Sequence, residues 1–160
     1  MNERYIRQTM IPGIGEAGQE KLKNAKVLIV GIGGLGSPIS LYLTAAGVGQ
    51  IGLIDDDIVS KSNLQRQILY TEAEIGQSKV ECACRRLSAL NSSTRFETYP
   101  NRFTPDNANR LVSAYDIIVD GCDNAATRYL IDDVCSRFKK PYVYRSEERR
   151  VGKECRSRWS

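Results

Sequence analysis

Lys26-Val27-Leu28-Ile29-Val30-Gly31-Ile32-Gly33-Gly34-Leu35-Gly36 is the stretch that decides the fold. Val27 to Val30 is a continuous apolar run with β-branched residues, the pattern of a strand buried on both faces of a parallel sheet. Gly31, Gly33 and Gly36 then spell G-x-G-x-x-G, where glycines permit a tight turn and a close backbone approach to a ligand. Residues 37–46 are small and apolar, a helix stopped by Gly47, and the start of such a helix offers N–H donors and positive dipole to phosphate. A second strand, residues 51–54, ends in Asp55-Asp56-Asp57. Asp55 lies 19 residues past Gly36, where a carboxylate can accept ribose hydroxyls. The unit therefore reads as a nucleotide site. A glycine turn serving only helix–strand packing is the alternative, and the motif does not choose the nucleotide, because a dehydrogenase binding NAD uses the same parts.

Working outward, residues 1–24 read as an arm of two helical pieces, broken by Ile11-Pro12-Gly13-Ile14-Gly15. Downstream, residues 63–67 form a short helical turn. A helix from about 78 to 90 carries Val80, Ala83, Leu87 and Leu90 at helical spacing. A strand at 95–99, a helix at 105–113, a strand at 115–120, a helix from about 125 to 138 and a strand at 141–144 follow. This β-α-β-α-β-α-β-α-β order predicts a doubly wound, mostly parallel, Rossmann-like α/β domain over residues 25–144. Residues 145–160 break the pattern, with one aliphatic side chain, Val151. They resemble a translated adaptor or vector read-through and are expected to be a non-native, disordered tail, so that the domain is truncated. A basic interaction tail is the alternative.

At 160 residues and 41% hydrophobic content the chain can build one core. No apolar run is long enough for a membrane-spanning helix, and the start lacks a secretory pattern. The formal charge of +4 belongs mostly to residues 145–160, with six basic and three acidic side chains, which leaves +1 for the rest and no compositional support for nucleic-acid binding. Histidine is absent, which excludes imidazole bases, Ser-His-Asp triads and histidine metal ligands. Five cysteines with no C-x-x-C pair argue against a disulfide scaffold or a zinc knuckle and fit a reducing cytoplasm.

Asn63, Arg66 and Lys79 supply one amide and two cations, phosphate ligands suited to a triphosphate. Taken singly, each also reads as a solvated surface residue. Asp123 follows the buried strand at 115–120, at the carboxyl edge of the sheet where ligands collect, and can hold Mg²⁺ against phosphates; capping the following helix is its other reading.

These residues carry a resemblance. Arg4-Tyr5-Ile6-Arg7-Gln8, the glycine loop, Asp55-Asp56-Asp57, Ser62-Asn63-Leu64-Gln65-Arg66-Gln67, Gly76-Gln77-Ser78-Lys79 and Asp120-Gly121-Cys122-Asp123-Asn124 resemble, in order and spacing, the adenylating domain of the MoeB/ThiF type, whose family includes the ubiquitin-activating enzymes. The resemblance spans about residues 3–144 and implies adenylation, with ATP and Mg²⁺, of the C-terminal glycine of a ubiquitin-like sulfur-carrier protein of the thiamine or molybdopterin pathway type. It implies that Gly31, Gly33, Gly34 and Gly36 form the nucleotide loop, Gly34 touching the nucleotide, and that Asp55 binds the ribose. Ser62 and Asn124 count with the nucleotide-binding residues, Asn63, Arg66 and Lys79 hold the phosphates, and Asp123 binds Mg²⁺. Arg7 reaches a partner subunit's site, which implies a homodimer. Zinc occurs in many relatives, but its two C-x-x-C pairs are absent from this sequence. Cys122 reads as a packing residue, and Cys82 and Cys84 fall on different helix faces. Because relatives continue further, weak turnover and impaired dimerisation are expected, and an inactive nucleotide-binding fragment or an NAD-linked oxidoreductase are the alternatives.

Overall fold

The structure is a computed structural model, and it describes residues 3–144. The expected tail at 145–160 lies outside the described residues. Five strands run in parallel in the order β3-β2-β1-β4-β5: β1 is Lys26–Val30, β2 Gln50–Ile54, β3 Arg95–Tyr99, β4 Ile117–Asp120 and β5 Tyr142–Val143. Helices α1 (Ile6–Thr9) and α2 (Gly15–Asn24) form the arm, and α3 (Gly36–Ala46), α4 (Lys79–Leu90), α5 (Pro105–Ala114) and α6 (Ala125–Phe138) connect the strands. The doubly wound α/β fold is the one the sequence predicts.

Each face of the sheet carries its own core. Val27, Ile29, Ile51 and Leu53 pack with Val80, Ala83 and Leu87 of α4 on one side. Leu28, Val30 and Ile118 pack with Leu111 and Val112 of α5 and Ile131 and Val134 of α6 on the other. Alternate residues of β1 thus serve opposite layers, which is why the run Val27 to Val30 is apolar throughout.

Helix α3 differs from its expected reading in what it buries. Its sheet-facing side is Gly36, Ser37, Ser40 and Thr44, while Tyr42 is 78% exposed. The spacing still marks one helical face, but small side chains occupy it, and they let the helix lie close over β1. Gly36 shows the closeness: a Cβ there would strike the Gly31 carbonyl oxygen.

The register sets the site. Val30 pairs with Ile54 on one side and Asp120 on the other, and Ile54 pairs with Tyr99, so four strands end level. The strand order reverses between β1 and β4, and the crevice that such a reversal opens lies at their carboxyl ends. Gly31, with φ of +88°, and Gly121 leave those two strands in direct contact; a Cβ on Gly31 would come within 2.8 Å of the Gly121 carbonyl carbon. Only glycine fits the first of these positions, both for its left-handed backbone and for the approach.

Candidate functional site

A cleft of ≈ 450 Å³ opens at this edge, walled by Gly31, Gly33, Gly34, Asp55, Asn63, Arg66, Lys79 and Asp123 among the expected residues. Leu35, Asp57, Gln67, Gly121 and Cys122 also line it. Segments distant in sequence therefore converge on one space.

The glycine loop is held from two sides at Ile32. Asp55 Oδ2 accepts the Ile32 amide at 2.7 Å, and the buried Tyr70 hydroxyl donates to the Ile32 carbonyl at 2.6 Å. Asp55 Oδ1 also accepts the Asp57 amide at 2.9 Å, so both oxygens of this carboxylate fix backbone while its remaining lone pairs face the cleft wall. The amides of residues 33–36, which lead into and open α3, make no backbone hydrogen bond among the described residues. They form a set of unpaired donors. Gly33 and Gly34 are not demanded by packing, since a Cβ on either would meet only Gln67 or Arg66 at 3.4 Å or more. Their lack of side chains keeps space over the loop, whereas Gly36 and Gly121 serve close packing behind it.

Lys79, the first residue of α4, is buried, which overturns its reading as a solvated surface residue; Arg66 is exposed and Asn63 half-buried. The Lys79 ammonium pairs with Asp57 Oδ2 at 2.7 Å, a partner the spacing of the motifs does not announce. Arg66 donates to the Ser62 carbonyl at 3.3 Å and pairs with no carboxylate among the described residues. Gln67 is 4% exposed, and its Oε1 is buried without a hydrogen-bond partner.

The acidic groups divide by occupation. Asp55, Asp56 and Asp57 can bring carboxylate oxygens within 4.8 Å of one another. Asp55 is engaged by amides, Asp57 by Lys79, and Asp56 by Arg102 at 3.3 Å. Asp123 is exposed at the rim and accepts no hydrogen bond from the described residues. It does not cap α6. Asn124 does, its Oδ1 accepting the Thr127 amide at 2.9 Å, which corrects the alternative reading of Asp123.

Four expected residues stand apart from the cleft wall. Gly36 lies behind it against Gly31 and Gly121. Ser62 is exposed, its hydroxyl 3.0 Å from that of Ser60. Asn124 lines a smaller adjoining hollow of ≈ 140 Å³ shared with Asp123 and Asp55. Arg7 is exposed on α1, outside the cleft wall, and its neighbour Gln8 donates to the carbonyl of Ala46 at the far end of α3 from the glycine loop.

A family model described as the ThiF family matches residues 5–153. The chain belongs to the ThiF family. The match runs past Tyr144 into the stretch set apart above. Among relatives of this ThiF-family chain, a "Sulfur carrier protein adenylyltransferase" of Thermus thermophilus is 48% identical over 142 residues, covering 89% of this chain and 52% of that protein. A "Probable adenylyltransferase/sulfurtransferase MoeZ" of Mycobacterium tuberculosis is 49% identical over 143 residues, covering 89% of this chain and 36% of that protein. The chain thus spans about a third to a half of the length of these relatives. An E. coli tRNA N6-threonylcarbamoyladenosine dehydratase, TcdA, solved in complex with ATP, aligns with a TM-score of 0.79 and 32% identity over 81% of this chain and 54% of that one.

The structure also explains what the cysteines do. Cys82, Cys84, Cys122 and Cys135 are free thiols. Cys82 is buried on the core side of α4 while Cys84 is partly exposed, consistent with different faces. Burial, aided by Asp120, pushes the Cys122 thiol up to about 12, which favours its protonated form. Among the described residues no helix is long and apolar enough to cross a membrane.

Proposed function

We propose that the cleft binds ATP with Mg²⁺ and that the protein adenylates the C-terminal glycine of a ubiquitin-like sulfur-carrier protein. The observation that carries this reading is the convergence of Arg66 and Lys79, from two separate segments, on the cleft that holds the glycine loop. A dinucleotide needs fewer cations; a triphosphate uses both. ATP in the solved relative and the names of the similar adenylyltransferases support the same choice.

The residues fit the two groups. Unpaired amides at 33–36, the room kept by Gly33 and Gly34, the orphaned Gln67 oxygen and the uncommitted Arg66 guanidinium suit a polyphosphate. Of four nearby carboxylates, Asp123 alone is unengaged among the described residues, which suits a hard cation. Mg²⁺ held there supplies neutralising charge to the phosphates. The carrier's terminal carboxylate, already ionised, attacks the α-phosphorus; its C–O–P bond forms as the bond to pyrophosphate breaks. Two anions must meet, so Arg66 and Lys79 lower the repulsion, Asp55 binds the ribose, and position plus electrostatics carries the rate. No general base is required, in keeping with a sequence without histidine.

Arg7 does not line its own chain's cleft, in keeping with its reaching the cleft of a second subunit in a homodimer, and a cytoplasmic setting accords with the free thiols. Calorimetric titration of ATP with Mg²⁺ and of NAD, on wild type and Arg66→Ala, tests the reading. ATP should bind more tightly than NAD, and the substitution should weaken ATP about tenfold, or ~1.4 kcal/mol. Tighter NAD binding, indifferent to Arg66→Ala, would replace adenylation with the oxidoreductase alternative.

A further inference from the structure

Three of the four residues of the turn 121–124 between β4 and α6 are held by hydrogen bonds among the described residues, and Asp123 is held through its neighbours on either side. The Gly121 amide donates to the Val30 carbonyl at 2.8 Å, and Gly121 abuts Gly31. The Cys122 amide donates to Asp120 Oδ1 at 2.9 Å. Asn124 caps α6 through Thr127. Among the described residues, the Asp123 carboxylate is the one side-chain group of the turn left without a partner.

Asp120 is the common anchor of this brace. Its side chain is fully buried, 0% exposed. While Oδ1 holds the turn, Oδ2 accepts Arg128 Nε from α6 at 2.9 Å and the Tyr142 hydroxyl from β5 at 3.1 Å. One carboxylate therefore ties together the turn, the helix after it and the last strand of the sheet. A buried carboxylate is tolerated only with such complete hydrogen bonding and a countercharge, which Arg128 supplies. A neutral, well-packed residue would hold the core as well, so core packing alone does not account for a charge here. What a three-way anchor adds is a fixed direction for the turn, and the next residue beyond the clamped Cys122 amide is Asp123.

We propose that Asp120 is a positioning residue: with Arg128 and Tyr142 it fixes the 121–124 turn so that the Asp123 carboxylate faces the cleft ready for a divalent cation. The proposal rests on the reading of Asp123 as the Mg²⁺-holding residue. Groups behind a metal ligand typically change metal affinity by about 10–100-fold when removed.

The test measures ATP affinity of the full chain by calorimetry with Mg²⁺ and again with chelator, so that the ratio reports the metal's contribution, and records the urea unfolding midpoint beside it. Asp120→Asn should cut that ratio about tenfold while leaving metal-free ATP affinity within about twofold of wild type. Tyr142→Phe, which keeps the Arg128 and Cys122 contacts, should cut it less. Ile131→Val, a core change in the same helix α6, should lower the midpoint and leave the ratio intact. If Asp120→Asn fails to fold, Tyr142→Phe and Arg128→Lys decide by the same ratio. A lowered midpoint with an unchanged ratio in every folded variant of the clamp overturns the proposal and makes the clamp purely structural. Asp123→Asn separates the two layers: loss of the ratio there with an intact ratio in the clamp variants defeats the positioning role alone, whereas a ratio that survives Asp123→Asn defeats the metal reading and the positioning role with it.

Discussion

The Lys79 ammonium rests 2.7 Å from the Asp57 carboxylate, with the lysine side chain 4% exposed and the aspartate side chain 65% exposed. The cation that would meet a nucleotide phosphate is thus already held, by a group that solvent can reach. An ammonium has three donors, so one can serve Asp57 while others turn to the cleft. The aspartate keeps the buried charge satisfied in the absence of ligand, and a phosphate takes over part of that task.

Lys79→Ala and Asp57→Asn should therefore behave oppositely. Loss of the lysine removes the proposed phosphate ligand and leaves Asp57 as an uncompensated anion, so ATP affinity should fall by more than about tenfold. Loss of the aspartate charge leaves a buried cation short of a partner, lowering stability of the free protein, and ATP should restore it. The readout is the ATP-induced shift in melting temperature. It should be larger for Asp57→Asn than for wild type, and equal shifts would show that the pair plays no part in binding.

The glycines of the loop should separate by role. Gly36→Ala drives a Cβ into the Gly31 carbonyl oxygen and should destabilise the fold by about 1–3 kcal/mol in urea denaturation. Gly34→Ala meets the Arg66 side chain only at 3.5 Å, so stability should hold while ATP binding weakens. Equal losses of stability in both would contradict the division between packing and ligand-facing glycines.

Tyr70→Phe deletes the hydrogen bond to the Ile32 carbonyl and leaves that buried acceptor unpaired. A cost of about 1–3 kcal/mol is expected from equilibrium unfolding. Because the same bond steadies the loop from below, ATP affinity should drop as well, although Tyr70 is not on the cleft wall. An unchanged affinity would confine Tyr70 to the core.

Alkaline stability should report on Cys122. Its thiol titrates near 9.0 when unfolded and is raised to about 12 by burial first and by Asp120 second. The folded state holds this proton more tightly, so the stabilisation is complete below about pH 9 and is lost as pH rises from there toward 12. Cys122→Ala should flatten the alkaline fall of the urea midpoint only in part, since burial raises Tyr70, Tyr115 and Tyr142 in the same direction. Peptide mapping after alkylation of the native protein should find Cys84 modified before Cys122.

The sheet and the loop were readable in the sequence because each rests on local pattern: Val27 to Val30 could only be a buried strand, and the glycines that follow could only be a turn. Strand ends were less sharp. Residues 115 and 116 read as the start of β4, but Tyr115 turns its hydroxyl to Glu97 and Asp116 uses its side chain to accept the Lys26 amide, and the strand begins at Ile117. Arg66, Lys79 and Asp123 were legible as members of one cleft. The roles of Asp57, Gln67, Tyr70 and Asp120 were not legible, because what each does depends on a neighbour that the fold alone brings near, such as Ile32 for Tyr70. The exchange of Asp123 for Asn124 as the cap of α6 shows the same limit at one-residue scale, where two adjacent polar residues were equally suited.

The contact between Gly31 and Gly121 joins positions ninety residues apart in the chain. The glycine loop and Asp123 lie on opposite sides of that junction, so the cleft is complete only once β1 and β4 have paired. Such long-range closure is slow to form and follows the local helices. Nucleotide then acts on the kinetics of the native state alone: it should retard unfolding while the rate of refolding stays as it is without ligand.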